Sequence, residues 1–147
     1  MAYKNILIAV DSSKYSASAA REGLRLAKEL KARVSMVYVI RPADPIGNID
    51  SVLLPATPGK DEIDEGYKVL GDYADAYNPD CKPENMVKIG DPATEILQYA
   101  SDWKADVIVI GRHGIESLKH LLLGGVVDNV AKNTKIPVLL VPFTNKK

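Results

Sequence analysis

Residues 6–10 read Ile-Leu-Ile-Ala-Val, with no polar position among them. A strand with one wet face alternates apolar and polar residues, so an unbroken run needs cover on both faces, as a central parallel strand has. Two further runs share this character: Val34 with Met36 to Ile40, and Val107-Ile108-Val109-Ile110. Between the first two runs, Ala19, Ala20, Gly23, Leu26, Ala27 and Leu30 share one side of a helical wheel, with Lys14, Arg21, Arg25, Lys28 and Glu29 opposite. Ser12 and Ser13 offer N-cap chemistry for that helix. The segment from Lys4 to Ile40 is therefore a βαβ unit with a right-handed crossover.

The alternation continues. Asp61 to Tyr77 reads as a helix through Ile63, Tyr67, Leu70, Ala74 and Tyr77, stopped by Asn78-Pro79, and a short strand follows between Pro83 and Ile89. Gly90-Asp91-Pro92 turns into a helix with Asp91 at the N-cap and Pro92 in first position, burying Ala93, Ile96, Leu97 and Ala100. After the strand Asp106 to Ile110 come a glycine loop, helix to about Lys132, and a last strand Pro137 to Val141. The expected fold is an α/β three-layer sandwich: a five-stranded, mostly parallel, doubly wound sheet of order 3-2-1-4-5. At 147 residues the chain is expected to form a single domain, 1–147, able to bury its core without disulfides. Residues 41–60 interrupt the pattern with Pro42, Pro45, Pro55 and Pro58 and form a long loop.

The chemistry concentrates at strand tips. Ligands of doubly wound sheets bind where the strand order reverses, which here lies between the first and fourth strands. The first strand ends at Asp11, and the fourth runs into Gly111-Arg112-His113-Gly114, with Gly124-Gly125 nine residues beyond. Glycines at a strand tip let a ligand approach the main chain, and the N–H groups opening the next helix attract anions. Arg112, His113, Lys119 and His120 offer positive charge near that loop.

Composition excludes several classes. Lys+Arg and Asp+Glu are equal at 19 each, which argues against nucleic acid or an anionic membrane as partner. No apolar run approaches the roughly 18 to 20 residues that cross a bilayer. Cys81 is single, and no signal-peptide core follows Met1, so a cytoplasmic location is expected. His113 and His120 have no partner carboxylate at a useful spacing, so no metal site and no Ser-His-Asp hydrolase is expected.

Several of these motifs together resemble the universal stress proteins, in their nucleotide-binding branch. They are Ile8-Ala9-Val10-Asp11-Ser12-Ser13, Tyr38-Val39-Ile40, Gly90-Asp91-Pro92, the spaced glycines Gly111, Gly114, Gly124 and Gly125, and Lys135 to Val141. The resemblance covers nearly the whole chain and implies a fold like that of the adenine nucleotide alpha hydrolases. It implies ATP as ligand, with ADP or AMP as alternatives and Mg as companion ion. In such proteins the residue matching Asp11 contacts ribose and the main chain matching Val39 reads the adenine edge. Gly111 and Gly114 match positions along the ribose and phosphates, while Gly124 and Gly125 match those that hold the terminal phosphates. The resemblance also implies a homodimer joined through the last strand, Pro137 to Val141. An exposed apolar sheet edge points the same way.

The chain departs from the pattern at two points. Position 125 and the one two places on normally carry hydroxyls, but here they are Gly125 and Val127. Each hydrogen bond to a charged group contributes about 1.5 to 3 kcal/mol, so losing two weakens triphosphate binding by roughly a hundredfold or more. The expected function is a regulatory stress-response protein that binds adenine nucleotide, with at most slow hydrolysis, since no Walker lysine or activating base is apparent. The alternative is a nucleotide-free dimeric interaction module with a vestigial crevice. An adenylyl-transfer enzyme is a third, weaker reading, because no further catalytic domain is present.

Overall fold

The computed structural model describes residues 2–42, 59–112 and 125–144. Its strands are β1 (Asn5–Val10), β2 (Arg33–Ile40), β3 (Glu84–Ile89), β4 (Val107–Gly111) and β5 (Val138–Val141). Its helices are α1 (Tyr15–Leu30), α2 (Lys60–Tyr77), α3 (Pro92–Trp103) and α4 (Val126–Asn133). The five strands form one sheet of order β3-β2-β1-β4-β5, and all four pairings are parallel. The expected order holds, with every pairing parallel rather than most.

Alternation along β1 explains its continuous apolar run. Ile6, Ile8 and Val10 enter one core with Ala20, Leu24 and Leu70 from α1 and α2, while Leu7 and Ala9 enter a second with Ile96, Ala100 and Val130 from α3 and α4. A strand covered on both faces has no position to give to water.

The helices match their expected spans closely, but two buried stripes differ from expectation. In α1 the fully buried leucine is Leu24, whereas Leu30, at the helix end, is 46% exposed. In α2 the stripe runs through Gly66, Leu70 and Ala74, and Tyr67 faces outward. Gly66 allows this: a Cβ there would lie 3.0 Å from both Tyr38 and Val87, so α2 sits directly on β2 and β3. The expected cap of α1 is also corrected. Lys14 occupies the N-cap with no side-chain hydrogen bond, because Ser13 is drawn instead toward Asp11. Asp91, by contrast, caps α3 as read, accepting from the Thr94 N–H, with Pro92 following.

Both turns from helix into an inner strand share one construction. Lys31 and Lys104 adopt left-handed φ angles of 52° and 62° and donate to last-turn carbonyls, closing α1 and α3 before β2 and β4. The base of the sheet is then tied together. The Asp106 carboxylate accepts from the main-chain N–H of Lys4 and Asn5 at 2.9 and 2.8 Å. Trp103 ends α3 with its indole N–H on Glu84, whose other oxygen pairs with Arg33 at 2.7 Å. No helix among the described residues is long and apolar enough to cross a membrane.

Candidate functional site

Asp11 stands just past the last residue of β1, where the chain must leave the sheet and enter α1. Its Oδ1 accepts from the Ser13 N–H at 2.8 Å, from the Ser13 hydroxyl, and from the Ser16 hydroxyl at 2.8 Å. The Asp11 N–H in turn donates to Ser16 Oγ at 2.7 Å. These bonds clamp one carboxylate oxygen into an Asx turn. The second oxygen has no partner among the described residues, and Asp11 is exposed. Its charge is felt at α2: the Tyr73 phenol is pushed above its ordinary range, chiefly by burial and then by the field of Asp11.

Val39 lies on β2 beyond the final β1 pairing, Val10 with Tyr38. Arg33 N–H donates toward β1, to Lys4 O at 2.8 Å, and Ile40 O accepts from Gly90 N–H at 3.0 Å on the β3 side. Main-chain groups alternate sides along a strand, so those of Val39 face the β1 side; the Val10–Tyr38 pairing takes its N–H, and its carbonyl points past the tip of β1. That carbonyl can accept from a donor on the edge of a planar ligand.

Gly111 closes β4 with no room for a side chain. A Cβ would sit 2.7 Å from the Tyr15 carbonyl oxygen, so β4 and the first turn of α1 are in backbone contact. Gly125 is the reverse case. It caps α4 in extended conformation (φ −65°, ψ 172°), and a Cβ built there meets nothing within 4 Å. Its carbonyl accepts from Asn129, while the first N–H groups of α4 have no intrahelical acceptor, as at any helix start.

Asp11, Val39 and Gly111 line one cleft of about 260 Å³, together with Tyr15, Arg41, Pro92, Ile110, Val126 and Val127. The cleft opens at the tips of β1, β2 and β4, where the strand order reverses. Among the described residues, Gly125 adjoins it through Val126, and Arg112 is not in its lining: Arg112 is exposed and extends the β4–β5 pairing by donating to Val141 O at 2.7 Å. Gly114, Gly124, His113, Lys119 and His120 lie outside the described residues, as does most of the loop 41–60. Val127 does double duty, since its side chain is 7% exposed and packs in the second core as well as walling the cleft. No group of three or more His, Cys, Asp or Glu suited to a metal occurs among the described residues.

The sequence reading missed Arg41, and strand alternation carries the signal that finds it, because Arg41 follows Val39 by two positions. Its guanidinium lies 4.0 Å from the Asp91 carboxylate. The Asp91 carboxyl is held below its ordinary range by the Thr94 N–H first, then the Thr94 hydroxyl, with Arg41 adding to it. Cys81 is half-buried against the first core, and burial pushes its thiol up, away from reactivity.

This arrangement defines a doubly wound α/β protein with its cleft at the topological switch point. The model of the universal stress protein family matches residues 2–142, and the chain belongs to that family. Universal stress protein MJ0531 of Methanocaldococcus jannaschii is 35% identical over 99% of this chain and 85% of its own length. A universal stress protein solved in complex with cAMP has the same fold, with a TM-score of 0.75 at 24% identity over 97% of this chain and 98% of its own. One from Archaeoglobus fulgidus, in complex with dAMP, gives 0.68 at 21% identity over 96% and 99%.

Proposed function

We propose that this protein is a regulatory nucleotide-binding member of its family, taking an adenine nucleotide into the cleft between β1, β2 and β4. The observation that carries this reading is the convergence of Asp11, Val39 and Gly111 on one cleft from positions far apart in the chain. The Asp11 oxygen without a partner among the described residues accepts ribose hydroxyls, the Val39 carbonyl takes a donor on the base edge, and the N–H groups opening α4 face the phosphate end. Fold-sharing proteins solved with cAMP and dAMP support the same ligand class. ATP fits less well than a shorter nucleotide at the described residues, because Gly125 brings no hydroxyl and Val127 brings a methyl wall. A magnesium ion would arrive on the phosphates, as it usually does, rather than in an all-protein cage.

A homodimer through β5 accompanies this reading. That strand is one of the two sheet edges, and Leu139 and Leu140 are 41% and 42% exposed on it. Cytoplasmic action as a sensor is part of the same proposal.

Titration calorimetry with ATP, ADP and AMP, with and without magnesium, tests the proposal. Binding is expected, and Asp11→Ala lowers it by about tenfold to a hundredfold, the size of a lost hydrogen bond to a charged group. The apolar wall at Val127 favours the second reading, a nucleotide-free dimeric module. Absence of both heat and thermal shift at millimolar nucleotide would establish that reading instead.

A further inference from the structure

We propose that Arg41 is a base-stacking residue of the cleft, its planar guanidinium lying against the face of a purine whose edge the Val39 main chain holds. The inference rests on the nucleotide reading above. Among the described lining residues Arg41 is the one cation, as Asp11 is the one carboxylate. The two stand just past the ends of neighbouring strands, and the guanidinium is at the β2 tip beside the start of α3.

Position decides what it touches. Gly111 and the start of α4 belong to the β4 side, two strands from β2, about 10 Å at the usual strand spacing. A nucleotide whose phosphates point there leaves only its base near Arg41. The lining around it is apolar, with Val39, Ile96 and Ile110. A delocalised, weakly hydrated guanidinium stacks on a ring face in a way an ammonium does not. Its present partner does not hold it firmly: the Arg41 and Asp91 side chains are 66% and 57% exposed at 4.0 Å separation, and such surface pairs contribute little. Re-aiming the side chain onto a ligand is therefore cheap.

The test compares AMP with adenosine, which lacks phosphate, on the full chain carrying Arg41→Ala, Arg41→Lys or no change. Stacking predicts that both variants weaken AMP and adenosine by the same factor, about threefold to thirtyfold, with no rescue by lysine. Loss confined to AMP, or rescue by lysine, assigns Arg41 to phosphate and overturns the inference. Unchanged affinities in both variants overturn it as well, provided the parent protein binds in a manner that Asp11→Ala weakens. A parent that binds neither compound at millimolar concentration overturns the nucleotide reading itself, and this inference with it.

Discussion

At the scale of single residues, two glycines of one motif carry opposite constraints. Gly111 faces the Tyr15 carbonyl so closely that Gly111→Ala must push β4 from α1; overpacking of this kind costs about 1 to 3 kcal/mol and lowers the urea midpoint. Gly125 faces open space, so Gly125→Ser adds an N-cap hydroxyl at a stability change of a few tenths of a kcal/mol. That variant is expected to raise ATP affinity by about tenfold while leaving adenosine unaffected, as calorimetry would read it. Val127→Thr differs, because it places a hydroxyl at a site packed in the second core and destabilises by about 1 to 3 kcal/mol if the group finds no partner. Sequence alone presented positions 125 and 127 as one loss of two hydroxyls. Burial separates them, and burial is not written in residue spacing.

At the scale of elements, legibility followed how many neighbours each segment has. Strands β1 and β2 were readable because cover on both faces leaves them mainly apolar, the buried Ser35 of β2 being bonded to Glu84 and Tyr99, and the start of α3 because Asp91 and Pro92 act within one turn. The stripe on α2 was legible at Leu70, Ala74 and Tyr77 but not at Tyr67, which faces out, because the neighbouring Gly66, with no apolar area of its own, is the residue that lets the helix approach Tyr38 and Val87. At the site, Asp11, Val39 and Gly111 were legible as strand ends, whereas Arg41 needed the knowledge that β2 outruns β1. The α3 cap and the clasp at its far end also set an acid response. Asp91 and Glu84 are both held below the ordinary carboxylate range, Asp91 first by the Thr94 N–H and Glu84 first by Arg33 and then Trp103. Lowered carboxyl pKa values mean stability that is present above the ordinary carboxylate range and is lost as pH falls through the depressed values. Urea midpoints measured from pH 7 to pH 2 should therefore fall less steeply in Asp91→Asn with Glu84→Gln than in the parent.

For the whole molecule, the open edge at β5 is the feature with consequences beyond the chain. Its neighbour groove carries Arg21, Glu22 and Arg25 beside Leu139 and Leu140, an apolar strip flanked by charge of both signs. A second copy meeting it across a twofold axis would bury the leucines, and Leu139→Asp with Leu140→Asp is expected to convert dimer to monomer in sedimentation velocity with helix content unchanged. The cleft acts at the same scale, for a different reason. Its walls come from the opening βαβ unit and from the closing strands and helices, with Asp11 and Gly111 a hundred residues apart. A small molecule lodged there behaves as a removable rivet between the first and last thirds of the polypeptide, since loosening either one expels it. At a hundred times its dissociation constant it adds about 2.7 kcal/mol against unfolding. Occupancy of the cleft by any such ligand would thus be recorded as a longer lifetime of the protein under proteolysis.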